Sequence, residues 1–385
     1  MNDFTFSMPT EVHFGKDKEK LTGKLIEYDK VLYVYGSGSI KKTGIYGRIE
    51  NSLKENGIDF KELGGVQSNP RLSLVNKGIE ICRKENIKFI LAVGGGSVID
   101  TAKAISIGVP YKGDVWDFYS GKAIIESSLP VGAVLTVPAT ASETNGYSVL
   151  TNEDGMYKRG LKNDCMKPVF AILNPEFACY LPKYYMAASV VDIFAHVWER
   201  YFTKIEHSDL LDRMCEGVFK TLISKGPDAV FERDYDSVSE IMWASSIAHN
   251  DTLGAVGDFG SHRTGHEISA EYDLSHGGSL GITMCAWAKY VYKEDINRFC
   301  RFAVHVWDVE YDFENPEETA LEGIRRMERF ILDLGIPTTF KGANLPTDCF
   351  EKMAERAVDN DLGYVGGGFK KLFKEDIINI YKLGE

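Results

Sequence analysis

Phe89-Ile90-Leu91-Ala92-Val93-Gly94-Gly95-Gly96-Ser97-Val98-Ile99-Asp100-Thr101-Ala102-Lys103 is the stretch on which the reading of the fold turns. Its first five residues are apolar and short enough for a strand buried on both faces. They run directly into three glycines and a serine, and a helix begins at Val98. Glycines let a backbone approach a diphosphate closely, and a helix N-terminus offers free N–H groups and the positive end of its dipole. Such a strand–turn–helix unit suits a dinucleotide pyrophosphate. Read alone, it fits a connecting turn that binds nothing equally well.

The same alternation extends outward in both directions. Val31–Tyr35 is a β-rich run closed by Gly36-Ser37-Gly38-Ser39, and a helical pattern follows towards Asn56. Asp59–Leu63 is strand-like, Leu72 to Lys84 is helix-like, and the apolar runs Val131–Val137 and Val169–Leu173 come later. Strands alternating with helices predict a parallel sheet covered on both faces. Beyond Leu181-Pro182 the character changes to long amphipathic stretches at 184–203, 208–224, 236–253, 279–292 and 316–334. The expectation is therefore two domains: a nucleotide-binding α/β domain over 1–181 and an all-α, metal-binding domain over 182–385. A length of 385 residues agrees, since a single core usually stops growing below that size.

Bulk composition excludes several classes. With 56 acidic against 44 basic residues the net charge is -12, which repels phosphate backbones and anionic lipids, so neither nucleic acid nor a membrane is expected as a partner. Seven cysteines are scattered singly with no C-x-x-C pair, which fits reduced thiols in the cytoplasm. The start, Met1 to Gly15, lacks the basic and apolar regions of a signal peptide. No uncharged apolar run approaches the roughly 20 residues of a membrane helix.

Gly36-Ser37-Gly38 starts like a dinucleotide fingerprint, but Lys41 stands where the third glycine belongs. This turn is expected beside the adenosine ribose. It carries no Asp or Glu for the ribose hydroxyls, whereas Ser37, Ser39 and Lys41 suit a 2′-phosphate, so NADP(H) is favoured over NAD(H). In the helical half, Asp192-x-x-x-His196 and His262-x-x-x-His266 each place two side chains on one helical face. An isolated Asp–His pair of this kind is ordinarily a surface hydrogen bond. Here three of the eight histidines, His262, His266 and His276, fall within fifteen residues, which with Asp192 and His196 points to a metal site. Imidazole and carboxylate donors suit Fe(II), Zn(II), Mn(II) or Ni(II).

Together these segments resemble the iron-containing alcohol dehydrogenase family, in its butanol dehydrogenase or aldehyde reductase branch. The likeness runs through Pro9-Thr10…Phe14-Gly15, Tyr35-Gly36…Gly38-Ser39-Ile40-Lys41-Lys42-Thr43-Gly44, Asn69-Pro70-Arg71 and the Gly94–Ser97 turn with Asp100 and Lys103. It continues through Leu135-Thr136-Val137-Pro138-Ala139-Thr140-Ala141-Ser142-Glu143…Asn145, Asp192…His196 and Gly265-His266-Glu267. The resemblance implies a dehydroquinate synthase-like architecture, often as a homodimer. It implies Asp192, His196, His262 and His276 as ligands of a divalent metal, Fe(II) first and Zn(II) second. It puts cofactor contacts on Gly36, Ser37, Gly38, Ser39, Gly94, Gly95, Gly96, Ser97, Thr136, Thr140 and Lys158, with Asp100 close to the turn. His266 would lie near the nicotinamide or substrate, as a catalytic proton relay or pocket residue.

Ser37, where aldehyde reductases of this branch often have a second glycine, departs from the pattern. So do Ile193-Phe194-Ala195 and Arg263-Thr264, between ligands. The reaction implied is hydride transfer between NAD(P)(H) and an aldehyde/primary alcohol pair such as butanal and butanol. Trp198, Phe259 and Tyr272 fit the wall of an apolar pocket, and fit core aromatics equally well. The alternative is a lyase or cyclase of dehydroquinate synthase type. Such enzymes take anionic substrates, yet Arg263 is the only basic residue between His262 and His276.

Overall fold

The computed structural model describes residues 3–206, 208–254, 256–360 and 362–385. The chain divides into two compact units. One comprises Ser7–Leu181 together with Ser245–Asn250, and the other Pro182–Ala244 and Asp251–Glu385 with the N-terminal residues up to Phe6.

In the first unit, eight strands form: β1 (Glu11–Phe14), β2 (Lys30–Gly36), β3 (Asp59–Val66), β4 (Ile90–Gly95), β5 (Val131–Val137), β6 (Tyr147–Asn152), β7 (Tyr157–Lys162) and β8 (Phe170–Leu173). Six of them make one parallel sheet in the order β1-β8-β5-β4-β2-β3. Helices Ile45–Glu55, Leu72–Glu85 and Gly96–Gly108 supply the crossovers between β2, β3, β4 and β5. The apolar runs explain why: Ile90, Leu91, Ala92 and Val93 are all fully buried, as a strand covered on both faces must be. Tyr33, Leu91, Val93, Val134 and Ile172 pack with Ile45, Ile49 and Leu53 into one core. The five strands and the crossover helices expected from sequence are all present.

Three strands escaped the sequence reading. β1 is a four-residue edge strand. β6 and β7 form a separate antiparallel hairpin whose second strand, Tyr157–Lys162, carries Lys158, Arg159 and Lys162 and has no buried residue. Its turn passes through Gly155 at φ 85 and Met156 at φ 55. Asp154-Gly155 was the available signal, since this dipeptide favours turns that need positive φ.

The second unit is helical, apart from the two-residue strands Val365–Gly366 and Lys371–Leu372. Its helices are Lys183–Tyr201, Asp209–Phe231, Tyr235–Ala248 (whose end belongs to the first unit), Gly260–Tyr272, His276–Val291, Ile296–Trp307, Pro316–Asp333, Phe350–Ala357 and Lys374–Leu383. Lys183–Tyr201 is buried from Met186 to Tyr201, as a central helix requires. Trp198, Phe202, Trp287, Phe299 and Phe302 form an aromatic core around it. Among the described residues no helix is long and apolar enough to cross a membrane.

Candidate active site

Three helices of the second unit supply the expected metal-binding side chains. Asp192 and His196 lie one turn apart on Lys183–Tyr201, with His196 Nε2 3.4 Å from Asp192 Oδ1. His262 comes from the first turn of Gly260–Tyr272, and its Nε2 lies 3.9 Å from the same oxygen. Asp192, His196 and His262 each offer one ligand atom, all within 4.8 Å of one another, and all three residues are buried. His276 opens the helix His276–Val291, with Ser275 capping through a bond from Gly278 N–H at 3.2 Å. Its Nε2 is 3.7 Å from Asp192 Oδ1, and it is more exposed than the other three.

One packing contact fixes His276. A Cβ built on Gly277 would sit 2.0 Å from the carbonyl oxygen of Ala188, so only glycine lets the start of this helix reach the Lys183–Tyr201 helix. His266, one turn after His262, is half-buried, with its ring 5.0 Å from that of His276. Of the aromatics considered from sequence, Trp198 is a core residue packed at a tilt against Phe202, with ring centroids 4.0 Å apart. Phe259 packs edge-on against His262 at 5.7 Å, and Tyr272 OH donates to the Pro346 carbonyl at 3.0 Å.

The residue that sequence reasoning missed is Glu199. It is fully buried, and its Oε1 accepts from the His262 backbone N–H at 3.0 Å and from Ser261 Oγ at 2.6 Å. The same oxygen lies 2.9 Å from His262 Nδ1. A carboxylate there keeps the proton on Nδ1 and turns the Nε2 lone pair towards Asp192. His262 Nε2 is buried and has no hydrogen-bond partner among the described residues. An orphaned, oriented imidazole nitrogen beside a carboxylate and a second imidazole fits a divalent transition metal. Asp192, His196 and Glu199 stand at i, i+4 and i+7, so helical periodicity held a signal for this third member. Near Glu199, Asp258 accepts from the backbone N–H groups of Gly260, Gly367, Phe369 and Lys370. Burial, then the neighbouring charge of Glu199, pushes the Asp258 carboxyl up to about 6.

The expected cofactor residues gather in the first unit. β2, β4 and β5 are adjacent and parallel, so the turns after them open on the same carboxyl edge of the sheet, where ligands of open α/β sheets bind. Gly36 ends β2 and Ser37, Gly38 and Ser39 follow it, and Gly38 at φ 111 adopts a conformation that favours glycine. Gly94 and Gly95 end β4, and Gly96 and Ser97 open the helix Gly96–Gly108. A Cβ on Gly96 would meet Thr140 Oγ1 at 2.4 Å, so this turn is pressed against Thr140. Thr136 lies near the end of β5.

Ser97, Asp100 and Lys41 among the expected contacts have internal partners. Ser97 Oγ donates to the Ser68 carbonyl at 2.6 Å. Asp100 accepts from Ser142 Oγ at 2.6 Å and from Val149 N–H at 2.9 Å, tying the hairpin to the Gly96–Gly108 helix. Burial raises the Asp100 carboxyl above its ordinary value, opposed most by the charge of Lys103 and less by that of Lys158 on β7. Lys41 donates to Glu62 at 2.8 Å.

Lys103, another residue given no role from sequence, is fully buried, and its Nζ donates to Ser142 Oγ, to Asn145 Oδ1 and to the carbonyls of Asn145 and Tyr147. Burial pulls its pKa down to about 8, opposed by Asp100 and Glu143. Four acceptors on one ammonium pin the loop that follows Thr140.

Comparison with known proteins joins the two sets of residues. Residues 9–175 match the model of the iron-containing alcohol dehydrogenases, and residues 186–383 match the C-terminal model of the same family. The chain is 39% identical to NADH-dependent butanol dehydrogenase A of Clostridium acetobutylicum over 99% of both chains. It is 33% identical to the NADPH-dependent aldehyde reductase YqhD of Escherichia coli over 95% of both. The crystal structure of NADH-dependent butanol dehydrogenase A from Thermotoga maritima superposes with a TM-score of 0.95 at 34% identity, covering 100% of this chain and 99% of that one. With both family models matched in order and nearly the whole length shared, the chain belongs to the iron-containing alcohol dehydrogenase family, in its butanol dehydrogenase branch.

Proposed function

We propose that this enzyme interconverts a short or medium-chain aldehyde such as butanal and its primary alcohol at a divalent metal held by Asp192, His196, His262 and His276. Its class is that of a metal-dependent alcohol and aldehyde oxidoreductase using NAD(P)(H). The observation that carries the site reading is the buried His262, locked by Glu199 at Nδ1 and aimed with a bare Nε2 at Asp192. Fe(II) is the ion put forward first, on the family's chemistry.

When bound, the ion polarises a carbonyl oxygen and the nicotinamide supplies or accepts hydride. The chain does the rest. Asp192 is the one carboxylate of the four, so a divalent ion held there would keep a net positive charge with which to favour negative charge on a substrate oxygen. Glu199 keeps His262 in the tautomer that ligation needs. His266, one helical turn from His262, holds a proton within reach of the same locality and relays it to the product oxygen.

In the first unit, the turns at Gly36–Ser39 and Gly94–Ser97, with Thr136, Thr140 and Lys158, take the dinucleotide; Asp100 supports them from inside. Residues 1–181 thus act as the nucleotide-binding domain and 182–385 as the metal-binding domain. Ser37, Ser39 and Lys41 support acceptance of NADP(H), whereas the names of the NADH-dependent relatives support NAD(H). A cytoplasmic homodimer is the form proposed, in keeping with the scattered single cysteines and with the resemblance.

The test is to strip the protein with chelator, restore Fe(II) anaerobically, and follow NADH and NADPH absorbance with butanal. Iron-dependent oxidation of either cofactor is the expected outcome. His262→Ala should lose the metal and turnover together; a His262→Ala protein that turns over normally without metal would refute the ligand assignment.

A further inference from the structure

Beside the Gly38 turn, Lys41 belongs to a cluster whose other members, Glu62, Tyr35 and Tyr46, the proposed chemistry leaves unused. Glu62, on the edge strand β3, accepts from Lys41 Nζ at 2.8 Å and from Tyr35 OH at 2.5 Å through Oε2, and from Tyr46 OH at 2.8 Å through Oε1. The Lys41 ammonium also stands over the rings of Tyr35 and Tyr46, at 4.8 and 4.5 Å from their centroids. Tyr46 in turn stacks on the buried Tyr33 at 5.2 Å, which fixes one wall of this box to the core. The bond from Lys41, then that from Tyr35, holds the Glu62 carboxyl down at about 2, and the bond to Glu62 raises Lys41 well above its ordinary value. Both groups are therefore charged at neutral pH, and they cancel.

We propose that Glu62, acting through Lys41, is the residue that sets the choice between NAD(H) and NADP(H), and that it favours NAD(H). The two cofactors differ only by a phosphate on the adenosine ribose, which adds close to two negative charges. The inference rests on the reading that the ribose lies at the Gly36–Lys41 turn. A 2′-phosphate arriving there meets a lysine whose charge is already balanced, next to the carboxylate that balances it. To pair with Lys41 it must either displace Glu62 or share the ammonium with it, and either way two anions stand side by side. A ribose hydroxyl carries no such penalty, and a carboxylate near the turn is the usual partner of that hydroxyl in NAD sites. The sequence reading counted Lys41 as available because the carboxylate that occupies it arrives from the next strand.

Glu62 and Lys41 are both partly exposed, at 39% and 45%, so solvent screening keeps the effect moderate, about two- to fivefold. The experiment is equilibrium binding of NADH and of NADPH, read by nicotinamide fluorescence, to metal-loaded wild type, Glu62→Gln, the Lys41→Gln/Glu62→Gln double variant and Ser37→Asp. Wild type should bind NADH more tightly. Glu62→Gln should shift the NADPH-to-NADH affinity ratio about two- to fivefold towards NADPH, and the double variant should lose that gain. A purely structural role for the cluster would weaken both cofactors alike and leave the ratio unchanged, which overturns the proposal, as does a wild type that prefers NADPH. Ser37→Asp, on the exposed turn itself, separates the two layers of the argument. If it weakens NADPH while Glu62→Gln leaves the ratio alone, the ribose is where it was placed and Glu62 is not the selector. If neither variant moves the ratio, the ribose placement fails and the inference falls with it.

Discussion

Glu199 shows how much of a metal site can reside in a residue that touches no metal. Its Oε1 gathers the backbone and side chain of His262 and the hydroxyl of Ser261, so one oxygen fixes where His262 stands, which way its ring faces and which nitrogen is bare. Gln at this position keeps an acceptor and the volume but loses the charge that raises imidazole basicity. Glu199→Gln is expected to weaken metal affinity 10–100-fold, roughly the range for such outer partners, while NADH affinity and the folded circular dichroism spectrum stay as in wild type. Competition with a fluorescent chelator measures the first. Unchanged metal affinity would show that orientation by packing alone suffices.

At the scale of elements, two glycines inside helices predict opposite outcomes. Gly277 lies against the Ala188 carbonyl with no space for a Cβ, whereas a Cβ on Gly217, in the Asp209–Phe231 helix, would meet nothing within 4 Å. Gly277→Ala must push two helices apart at the point where His276 joins Asp192, so it should cost about 1–3 kcal/mol and impair metal retention. Gly217→Ala should stabilise by up to about 1 kcal/mol through helix propensity, with the metal site untouched. Urea titrations of both variants, paired with metal analysis, decide it; Gly277→Ala with wild-type stability and metal content would discount the helix contact.

What the sequence made legible follows the same divide between local pattern and distant encounter. β4 and β5 were readable because Ile90–Val93 and Val131–Val137 are nearly unbroken apolar runs with a glycine or proline at the end. The β6–β7 hairpin was not, because it packs outside the main sheet and its second strand is largely charged. Asp192, His196, His262, His266 and His276 stood out because metal-binding residue types crowd into two short stretches, and the choice of four among them came from the family resemblance; the structure brings Asp192, His196 and His262 together, with His276 beside Asp192. Glu199 looked like any helix carboxylate, since nothing local reveals that the helix is buried on every side. Glu62 lies 21 residues from Lys41, and only the parallel pairing of β2 with β3 makes them neighbours.

For the whole molecule, the residues proposed for the metal and those proposed for the dinucleotide belong to different units. Sites without shared partners behave additively, to within about 0.5 kcal/mol. Removal of the metal should therefore lower thermal stability, by about 2.7 kcal/mol relative to protein held at a hundred times the metal Kd. NADH affinity should meanwhile stay within about twofold in the absence of substrate. Calorimetry with and without chelator, followed by NADH titration, tests both; a tenfold loss of NADH binding on chelation would mean that the two sets of residues are coupled.

The segment Ser245–Asn250 has a consequence for how such a chain comes to be folded. It lies beyond Leu181 in sequence yet belongs to the first unit, where Asn145 Nδ2 donates to the His249 carbonyl at 3.0 Å and the Tyr147 and His249 rings stack at 4.6 Å. Ser246 also donates to the buried Glu143 at 2.5 Å. A ribosome that has released residues 1–181 has therefore not yet delivered all the pieces of the first unit. That unit waits, with Glu143 and Asn145 short of partners, until the chain has grown past residue 250. Biosynthesis thus couples the completion of one half to the emergence of the other, and a scissile site between residues 181 and 182 would divide the polypeptide without dividing it into two finished proteins.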